Sequence, residues 1–227
     1  MIFRATTKNL ISLNGLTKKM WHQHLRTIVR WILFRKAFPW SRSREKELPK
    51  VEISGVRVIL REKSLDDFVD EYAWRIDEEL SRLDATRPLK MSYDEYYRYA
   101  SEELQFPTYR SKRLAIDTLE GVHIGNVMYY DFNSKKMEVE LGIMIGDKSY
   151  WDQGYGTDAV DTLLNHLFAD LEMEIVYLHT LVWNRRAQGS FAKSGFREVR
   201  SVRKGGQDYI RMEIKKDEWG NYHSDSP

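Results

Sequence analysis

The sequence predicts an α/β (α+β) domain over residues 51–227, preceded by a basic helical extension, and three observations support this. Residues 51–227 alternate predicted strands and helices in the order β, α, α, three strands, α, β, α, β, β. The chain holds 13 Tyr, nine Phe and seven Trp, enough large apolar side chains for a packed core. Residues 1–44 hold ten of the 36 Lys and Arg residues and none of the 34 Asp and Glu residues. Residues 45–227 therefore carry 26 basic and 34 acidic residues, so a cationic arm precedes a domain of formal charge −8.

The cationic arm contains one predicted amphipathic helix, over residues 17–40. Trp21, Leu25, Ile28 and Ile32 follow helical spacing, and Pro39 is expected to end the helix. The polar segment 41–50 predicts a linker, which gives an extension at 1–50 and a domain at 51–227.

Several interpretations of the arm stay open. It could bind an anionic membrane surface through residues 17–40, or pack on the domain or on a second subunit, as in a homodimer. Its acid-free composition also resembles an organelle presequence, and nucleic-acid binding is not favoured. No run of about 18 apolar residues predicts a membrane span. We expect a cytoplasmic protein, with peripheral membrane association depending on the arm.

The first half of the domain is predicted to contain a strand, two helices and a hairpin. An apolar run favours the first strand. Ser64 and Ser92 are suitable N-cap residues for the two helices, and Gly121 marks the turn of the hairpin. The predicted ranges are 56–60, 113–118 and 122–132 for strands, and 65–82 and 92–104 for helices.

The second half is predicted to contain four strands and two helices. The longer helix carries apolar residues on one side, and Gly195 is expected to end the shorter one. The predicted ranges are 137–145, 175–182, 196–200 and 209–214 for strands, and 154–171 and 185–193 for helices.

A glycine-containing segment, IMIGDKSYWDQGYGTDA at 143–159, carries the clearest chemical pattern. A strand leads into a loop with Gly154 and Gly156, and a helix follows. Closely spaced glycines let the backbone approach a ligand, and the first helical turn offers unpaired N–H groups to a pyrophosphate. A turn without any ligand is the alternative. The dinucleotide fingerprint that the same letters match is not favoured, because several residues separate the strand from the glycines.

The chain resembles the GNAT superfamily of N-acetyltransferases, in particular the branch that acetylates ribosomal-protein N-termini. The resemblance lies in ordered motifs between residues 55 and 219. They are GVRVILR at 55–61, ELG at 140–142, YWDQGYGTDA at 150–159, VWN at 182–184, KSGF at 193–196, and QDYIRM at 207–212 with Glu218-Trp219. It implies a mixed, mostly antiparallel twisted sheet flanked by helices, and it does not extend to residues 1–50.

The resemblance further implies that acetyl-CoA binds between the strands near 140–145 and 176–182. Strand backbone would hold the pantetheine arm, loop amides the pyrophosphate, Asn184 the pantetheine or acetyl region, and Lys193 the 3′-phosphate. The expected cofactor-binding residues are Ile143, Met144, Ile145, Gln153, Gly154, Tyr155, Gly156, Thr157, Asn184 and Lys193.

The catalytic assignment from sequence centres on one carboxylate. Glu140 lies on the strand that lines the reaction centre in the family, so it is the expected base for the amine, with Glu138 in reserve. Many relatives have a tyrosine acid where this chain has Phe191, so no acid is predicted. Asp84, Tyr93 and Tyr96 are the expected acceptor-binding residues, because an acidic, Tyr-rich rim suits a cationic amine.

The predicted function is therefore an acetyl-CoA-dependent N-acetyltransferase. The acceptor would be a primary amine: a protein N-terminus, or a polyamine-like or aminoglycoside-like small amine. The alternative is a catalytically weak CoA-binding or regulatory module, which Phe191 favours. No cysteine is present and the histidines lack metal-ligand spacing, so no metal is expected.

Overall fold

A computed structural model of the chain describes residues 51–105 and 111–224. The strands are β1 (Glu52–Ser54), β2 (Val58–Glu62), β3 (Lys112–Thr118), β4 (His123–Asn133), β5 (Glu138–Ile145), β6 (Ile175–Leu181), β7 (Arg197–Lys204) and β8 (Gln207–Lys215). The helices are α1 (Phe68–Ile76), α2 (Glu78–Leu83), α3 (Tyr93–Gln105), α4 (Tyr155–Asn165), α5 (Arg185–Lys193) and α6 (Lys216–Ser224). The predicted arm helix, the linker and the boundary at residue 50 lie outside the described residues and stay predictions.

The strands form one sheet in the order β1-β2-β3-β4-β5-β6-β8-β7. Neighbouring strands pair antiparallel from β1 to β5 and again across β6, β8 and β7. The pair β5–β6 is parallel. Parallel neighbours need a long crossover connection, which α4 supplies. The predicted mixed, mostly antiparallel sheet flanked by helices is confirmed.

The main core lies between the sheet and α4. Leu163, Leu164 and Leu167 are fully buried in one cluster with Val139 and Leu141 of β5. Each buried leucine of this kind contributes about 1.5–3 kcal/mol relative to an exposed one. Because side chains alternate along a strand, Glu138 and Glu140 point to the opposite face of the sheet.

Helix α1 belongs to a second group of buried side chains. Phe68, Trp74 and Leu80 are buried but stand outside the main core cluster. Phe68 makes edge-to-face contacts with Tyr96 and Tyr97 of α3. A methyl group on Gly146, just after β5, would overlap the indole of Trp74, so α1 packs directly on the end of that strand.

The predicted helix at 65–82 is wrong as a single element. A 3₁₀ turn (Leu65–Asp67) leads into α1, and the chain then breaks before α2. Asp77 adopts an extended conformation, with φ −69° and ψ 126°, and its side chain accepts a hydrogen bond from Leu80 N at 2.8 Å. Asp77 therefore ends one helix and N-caps the next.

Other element boundaries also differ from the prediction. The predicted helix at 154–171 is α-helical only to Asn165 and continues as a π-helical turn over His166–Asp170. The closing strands are longer than predicted and meet at Gly205-Gly206, both with positive φ, as tight hairpin turns require. Strand β1 and helix α6 were not predicted at all. Trp219 anchors α6, since it is buried and donates from Nε1 to Asn165 Oδ1 at 3.1 Å.

Candidate active site

The parallel strands β5 and β6 separate after a short paired stretch. Their register runs through three pairs and ends at Glu140 opposite Tyr177. Beyond this point β5 stays paired only with β4, and β6 only with β8. The facing edges of residues 141–145 and 178–181 therefore diverge, and backbone groups there are open to a ligand that lies between the strands. We call this opening the fork.

A glycine loop closes one side of the fork. Gly154 has φ +87°, a left-handed conformation that favours glycine, and directly precedes α4. Gly156 lies close to β5, because a methyl group there would be 3.5 Å from the Ile145 side chain. Thr157 Oγ1 lies 3.0 Å from Ser190 Oγ of α5. The first-turn amides of α4 lack acceptors within the helix, so they form a suitable anion cradle.

Asp158 fixes this loop to the turn between β1 and β2. Its carboxylate accepts hydrogen bonds from the backbone N–H groups of Val56, Arg57 and Val58 at 3.1, 2.7 and 3.0 Å. The same turn brings the Arg57 Nε to 3.8 Å from a methyl group placed on Gly154. Arg57 is thus a cation beside the cradle that the sequence did not reveal, because about 100 residues separate the two segments.

A cavity of about 360 Å³ lies next to the loop and includes Trp151, Trp183, Asn184 and Arg186 in its lining. The Arg186 guanidinium stacks 3.5 Å from the centre of the Trp151 ring. Trp151 Nε1 donates to Ile145 O at 2.8 Å, so this carbonyl of the predicted pantetheine-binding strand already has a partner.

The remaining predicted cofactor ligands are distributed around this cavity and the loop. Asn184 N-caps α5, because its Oδ1 accepts a bond from Ala187 N at 3.2 Å, which leaves its Nδ2 group to reach a ligand. Lys193 is exposed at the end of α5. The Gln153 amide group donates to Ser149 O within the loop. These positions are compatible with cofactor binding, and the individual roles stay predictions.

Glu140 is buried at the vertex of the fork, with 6% of its surface exposed. His179 Nδ1 lies 2.8 Å from its Oε1. Burial raises the pKa of Tyr130, on the paired strand β4, and the charge and hydrogen bonding of Glu140 raise it further. Burial, followed by the Glu140 charge, also raises the pKa of Tyr177 to about 12. Both tyrosines therefore stay neutral, and Tyr130 can donate to the carboxylate.

Glu138 has a different environment from Glu140. Its carboxylate lies 3.7 Å from Arg211 Nη2, and Asn133 Nδ2 donates to it at 3.3 Å. Arg211 also pairs with Glu213 at 3.0 Å and stacks 3.7 Å from the centre of the Tyr177 ring. The charge of Glu138 is thus balanced by a guanidinium. Within residues 51–105 and 111–224, Glu140 has no such Lys or Arg ion pair, and His179 is its hydrogen-bond partner.

The predicted acceptor residues have structural partners, and Asp84 and Tyr96 both interact with the charges of Arg75 and Arg113. Tyr93 packs edge-on against Tyr72, and Tyr96 donates to Glu71 Oε2 at 2.9 Å. Burial, with the neighbouring Glu71 charge, raises the pKa of Tyr96, so that its hydroxyl stays neutral. Both tyrosines therefore join α1 to α3, and any contact with an acceptor stays a prediction.

Asp84 follows α2 and lies beside a cavity of about 540 Å³ that includes Arg82, Thr86 and Trp183. Arg75 Nη1 contacts its carboxylate at 3.1 Å. Burial raises the pKa of Asp84 although 42% of its side-chain surface is exposed, and Arg75 offsets part of the shift. Burial raises the pKa of Tyr209 on β8, and the charge of Asp84 raises it further. Asp84 therefore lies close enough to influence the sheet face that carries Glu140 and Tyr177.

Phe191 lies in the main core, with a ring centroid 6.0 Å from that of Phe196. Its ring fills space between α5 and the sheet and offers no proton to the fork. In the part of the chain that the structure describes, no group of three or more His, Cys, Asp or Glu is placed to hold a metal ion. No helix within the same ranges is long and apolar enough to cross a membrane.

The model of the acetyltransferase (GNAT) domain matches residues 57–197, which is more than half of the chain. The chain belongs to the GNAT acetyltransferase family. The matched range begins in the turn held by Asp158 and contains the whole fork, the glycine loop and α5. No curated protein matches the chain.

Solved structures share the GNAT fold at low identity. Spermidine N-acetyltransferase from Vibrio cholerae, in complex with CoA and spermine, aligns with TM-score 0.63 and 20% identity over 72% of this chain and 98% of that one. RimJ from Mycobacterium smegmatis, in complex with CoA-disulfide, aligns with TM-score 0.60 and 18% identity over 75% and 87%. A GNAT acetyltransferase from Bacillus anthracis aligns with TM-score 0.63 and 13% identity over 74% and 99%. At these identities the likeness shows the fold alone.

GNAT domains bind acetyl-CoA, and the residues present fit that group. The fork leaves strand edges open, Gly154 and Gly156 keep the loop free of side chains, and Arg57 and Arg186 place positive charge beside it. Pantetheine amides need strand-edge partners and phosphates need amide donors and cations, so both requirements are met.

Proposed function

We propose that the protein is an acetyl-CoA-dependent N-acetyltransferase that transfers an acetyl group to a primary amine by direct attack on the thioester. The observation that carries the proposal is the position of Glu140. Its carboxylate lies where β5 and β6 separate, on the sheet face opposite α4, and it has no Lys or Arg ion pair among the described residues. A carboxylate of this kind can draw a proton from an amine that approaches the vertex of the fork.

Binding of the cofactor is assigned to backbone groups, with cations in support. The edge of residues 143–145 would hold the pantetheine arm, except for Ile145 O, which Trp151 occupies. The amides of residues 153–157 would hold the pyrophosphate, with Arg57 beside Gly154 as an added cation. When bound, acetyl-CoA supplies an acetyl group already activated as a thioester.

The amine must be neutral to attack, and this is the task assigned to the buried carboxylate. Glu140 accepts the ammonium proton, directly or through an intervening group, while Tyr130 keeps the carboxylate oriented by donating to it. Glu138, paired with Arg211, is better suited to holding the sheet face together than to proton transfer.

The acceptor is proposed to be cationic before it reacts. Glu140, Asp131 and Asp84 influence tyrosines on one face of the sheet, so that face carries several acidic groups. A polyamine-like amine and a peptide N-terminus are the two leading classes, supported by the spermidine acetyltransferase and RimJ folds. An aminoglycoside-like amine fits the same charge pattern. Membrane binding through residues 17–40, a homodimer and a cytoplasmic location stay predictions.

The second candidate function is a CoA-binding or regulatory module without turnover. Phe191 favours it, because the core position of this ring removes one source of a proton for the leaving thiolate. A thiolate can also leave as an anion and take its proton from water, so the absence of an acid at this position does not exclude catalysis.

A thiol-release assay on the full-length chain separates the two functions. Acetyl-CoA would be offered with spermidine, a basic peptide with a free N-terminus and an aminoglycoside, and binding would be measured in parallel by calorimetry. We expect release with at least one amine and a fall of about 100-fold or more in Glu140→Gln. Glu198→Gln, an exposed carboxylate on β7, is the matched control and should keep full activity. Binding of acetyl-CoA with no thiol release from any amine would support the module instead.

A further inference from the structure

Glu140 and His179 form a hydrogen-bonded pair at the vertex of the fork, and the two members differ in accessibility. The side chain of Glu140 is 8% exposed and that of His179 is 20% exposed. Glu140 ends the paired part of β5, whereas His179 lies two residues beyond Tyr177, on the same face of β6 and inside the opening. An amine entering the fork therefore reaches the imidazole more readily than the carboxylate.

The partner of the imidazole determines its tautomer. An ionised carboxylate can only accept hydrogen bonds, so Nδ1 of His179 carries the proton in the 2.8 Å contact with Glu140. This leaves Nε2 with a free lone pair, the form in which imidazole acts as a base. Tyr177 limits rotation of the ring, since the two rings meet edge to face with centroids 5.8 Å apart.

We infer that His179 accepts the amine proton at Nε2 and that Glu140 is the positioning residue that fixes its tautomer and stabilises the imidazolium. The inference rests on the proposed function and deepens it, since it names the group that intervenes between amine and carboxylate. The same division of labour operates wherever a buried carboxylate orients a catalytic histidine.

The proton and bond changes balance without a further reagent. The ammonium of the acceptor first passes one proton to Nε2 of His179. The nitrogen of the resulting neutral amine forms a bond to the acetyl carbonyl carbon, and the bond from that carbon to sulfur breaks. The CoA sulfur leaves as a thiolate, which takes up the second N–H proton and becomes the thiol. The imidazolium then releases its proton to solvent, which restores the Nδ1–H tautomer beside Glu140.

The groups around the pair come from several strands and from α2. Tyr130 and Asp131 belong to β4, and Glu138 lies on the same face of β5. Tyr177 precedes His179 on β6, while Arg211 lies opposite His179 on β8. Other charged or titratable groups on this side include Lys136, 3.7 Å from Glu138, Arg113 of β3, Tyr209 and Glu213 of β8, and Asp84 after α2. Arg211 is paired with Glu138 and Glu213, so Glu140 is the carboxylate that faces the imidazole at hydrogen-bond distance.

The tautomer can be tested without turnover, by ¹⁵N NMR of the histidine side chains in the full-length protein. We expect His179 to show a protonated Nδ1 and an unprotonated Nε2 at neutral pH, and to lose this preference in Glu140→Gln. His166, whose Nδ1 lies 2.7 Å from Asp170 in the π-helical turn after α4, gives the matched signal, which Glu140→Gln should leave unchanged. A protonated Nε2 in the wild type, or a His179 signal indifferent to Glu140→Gln, overturns the inference even if no amine is ever acetylated.

The proton path is tested by pH profiles of kcat/KM with any amine that the protein acetylates. His179→Gln should lower kcat/KM by about 100-fold or more and remove the acid limb of the profile. Glu140→Gln should lower kcat/KM but keep an acid limb, because His179 is still present to accept the proton. His166→Gln should behave as the wild type.

The opposite pattern of pH profiles would show that Glu140 accepts the amine proton without His179. If His179→Gln keeps the acid limb and Glu140→Gln abolishes it, Glu140 is the direct base and the inference fails while the proposed function stands. Circular dichroism checks each variant for folding, and His179→Asn, which keeps a polar side chain of smaller volume, replaces any unfolded His179→Gln. Absence of turnover in the wild type refutes the proposed function, and the NMR result alone then decides whether the pair is arranged as inferred.

Discussion

Replacement of Arg61 should reveal how the domain holds α1 against its sheet. The guanidinium donates two hydrogen bonds to Asp67, from Nη2 to Oδ1 at 2.7 Å and from Nη1 to Oδ2 at 2.9 Å. Its Nε donates a third hydrogen bond to Asp117 Oδ2 at 2.6 Å. Asp67 lies directly before α1 and Asp117 lies on β3, so one side chain of β2 joins three elements. The Asp67 side chain is only 3% exposed and Arg61 about a quarter exposed.

Arg61→Met should destabilise the fold by about 3 kcal/mol, the lower end of the range for a buried ion pair that loses one partner. The lower end applies because the guanidinium keeps some contact with water. For a domain of this size that loss corresponds to a fall in Tm of roughly 6–12 °C. Urea denaturation followed by tryptophan fluorescence measures the change directly.

The loss of stability in Arg61→Met should also depend on pH, and the environment of Asp67 determines the direction of this dependence. Burial disfavours the charged form of Asp67, but hydrogen bonds from Arg61 and from Ser64 N–H outweigh it and hold the pKa of Asp67 below its usual range. A carboxylate with a lowered folded-state pKa stabilises the protein above its unfolded pKa of about 3.9, and this stability is lost as the pH falls through the folded value. The difference between wild type and Arg61→Met should thus be full near neutral pH and shrink below about pH 4.

The matched control is Arg203→Met, which breaks the surface pair with Asp208, whose side chains are 73% and 60% exposed. An exposed pair of this kind contributes about 0–1 kcal/mol. A loss in Arg61→Met no larger than in Arg203→Met, or one that stays constant down to the acid limit of folding, would contradict the proposed role of the buried network.

Three further substitutions address the loop and the helix packing. Asp158→Asn removes the charge that accepts three backbone N–H bonds and should lower stability by about 2–3 kcal/mol in urea denaturation. Gly154→Ala forces a side chain into the left-handed region, and should weaken acetyl-CoA binding in calorimetry and destabilise the loop by about 1–2 kcal/mol. Gly146→Ala would drive a methyl group into Trp74, and overpacking of this kind should lower the free energy of unfolding by about 1–3 kcal/mol.

Gly156→Ala and Glu198→Gln are the controls for these substitutions. A methyl group on Gly156 meets Ile145 at an ordinary 3.5 Å, so the free energy of unfolding should be unchanged. An equal free energy of unfolding in Gly154→Ala and Gly156→Ala would argue against strain at the left-handed position. An Asp158→Asn protein as stable as Glu198→Gln would show that the three N–H bonds are replaced by water at little cost.

The fold was predictable from sequence where local pattern and global packing agree. The helical face of α4 and the apolar alternation of β3 to β6 follow directly from which side chains are buried. The sequence did not predict the helix break at Asp77, because an Asp alone does not distinguish the start of a new helix from the continuation of one. Its extended conformation becomes apparent only in the structure, where its side chain N-caps α2. The strand β1 has three residues and α6 depends on Trp219 reaching Asn165, so neither has a strong local pattern.

The sequence predicted site residues that belong to local motifs, but it did not predict contacts between distant segments. Loop glycines and the position of Glu140 are sequence features, whereas the partner of Glu140 depends on the parallel register of β5 and β6. His179 is 39 residues away, and nothing in its local sequence distinguishes it from His166. The roles of Arg57 and Asp158 likewise require that two distant segments meet. The core position of Phe191 explains how the chain tolerates a phenylalanine there, which the sequence could only mark as a departure from its relatives.

The short parallel pairing of β5 and β6 divides the sheet into two blocks of strands. Three residue pairs, together with α4 and the core beneath it, are what join the block β1–β5 to the block β6–β8. A ligand bound in the fork would form hydrogen bonds to both blocks and so connect them. Ligand binding should therefore raise the free energy of unfolding of the whole domain. The increase should follow the logarithm of the ligand concentration once the site is saturated.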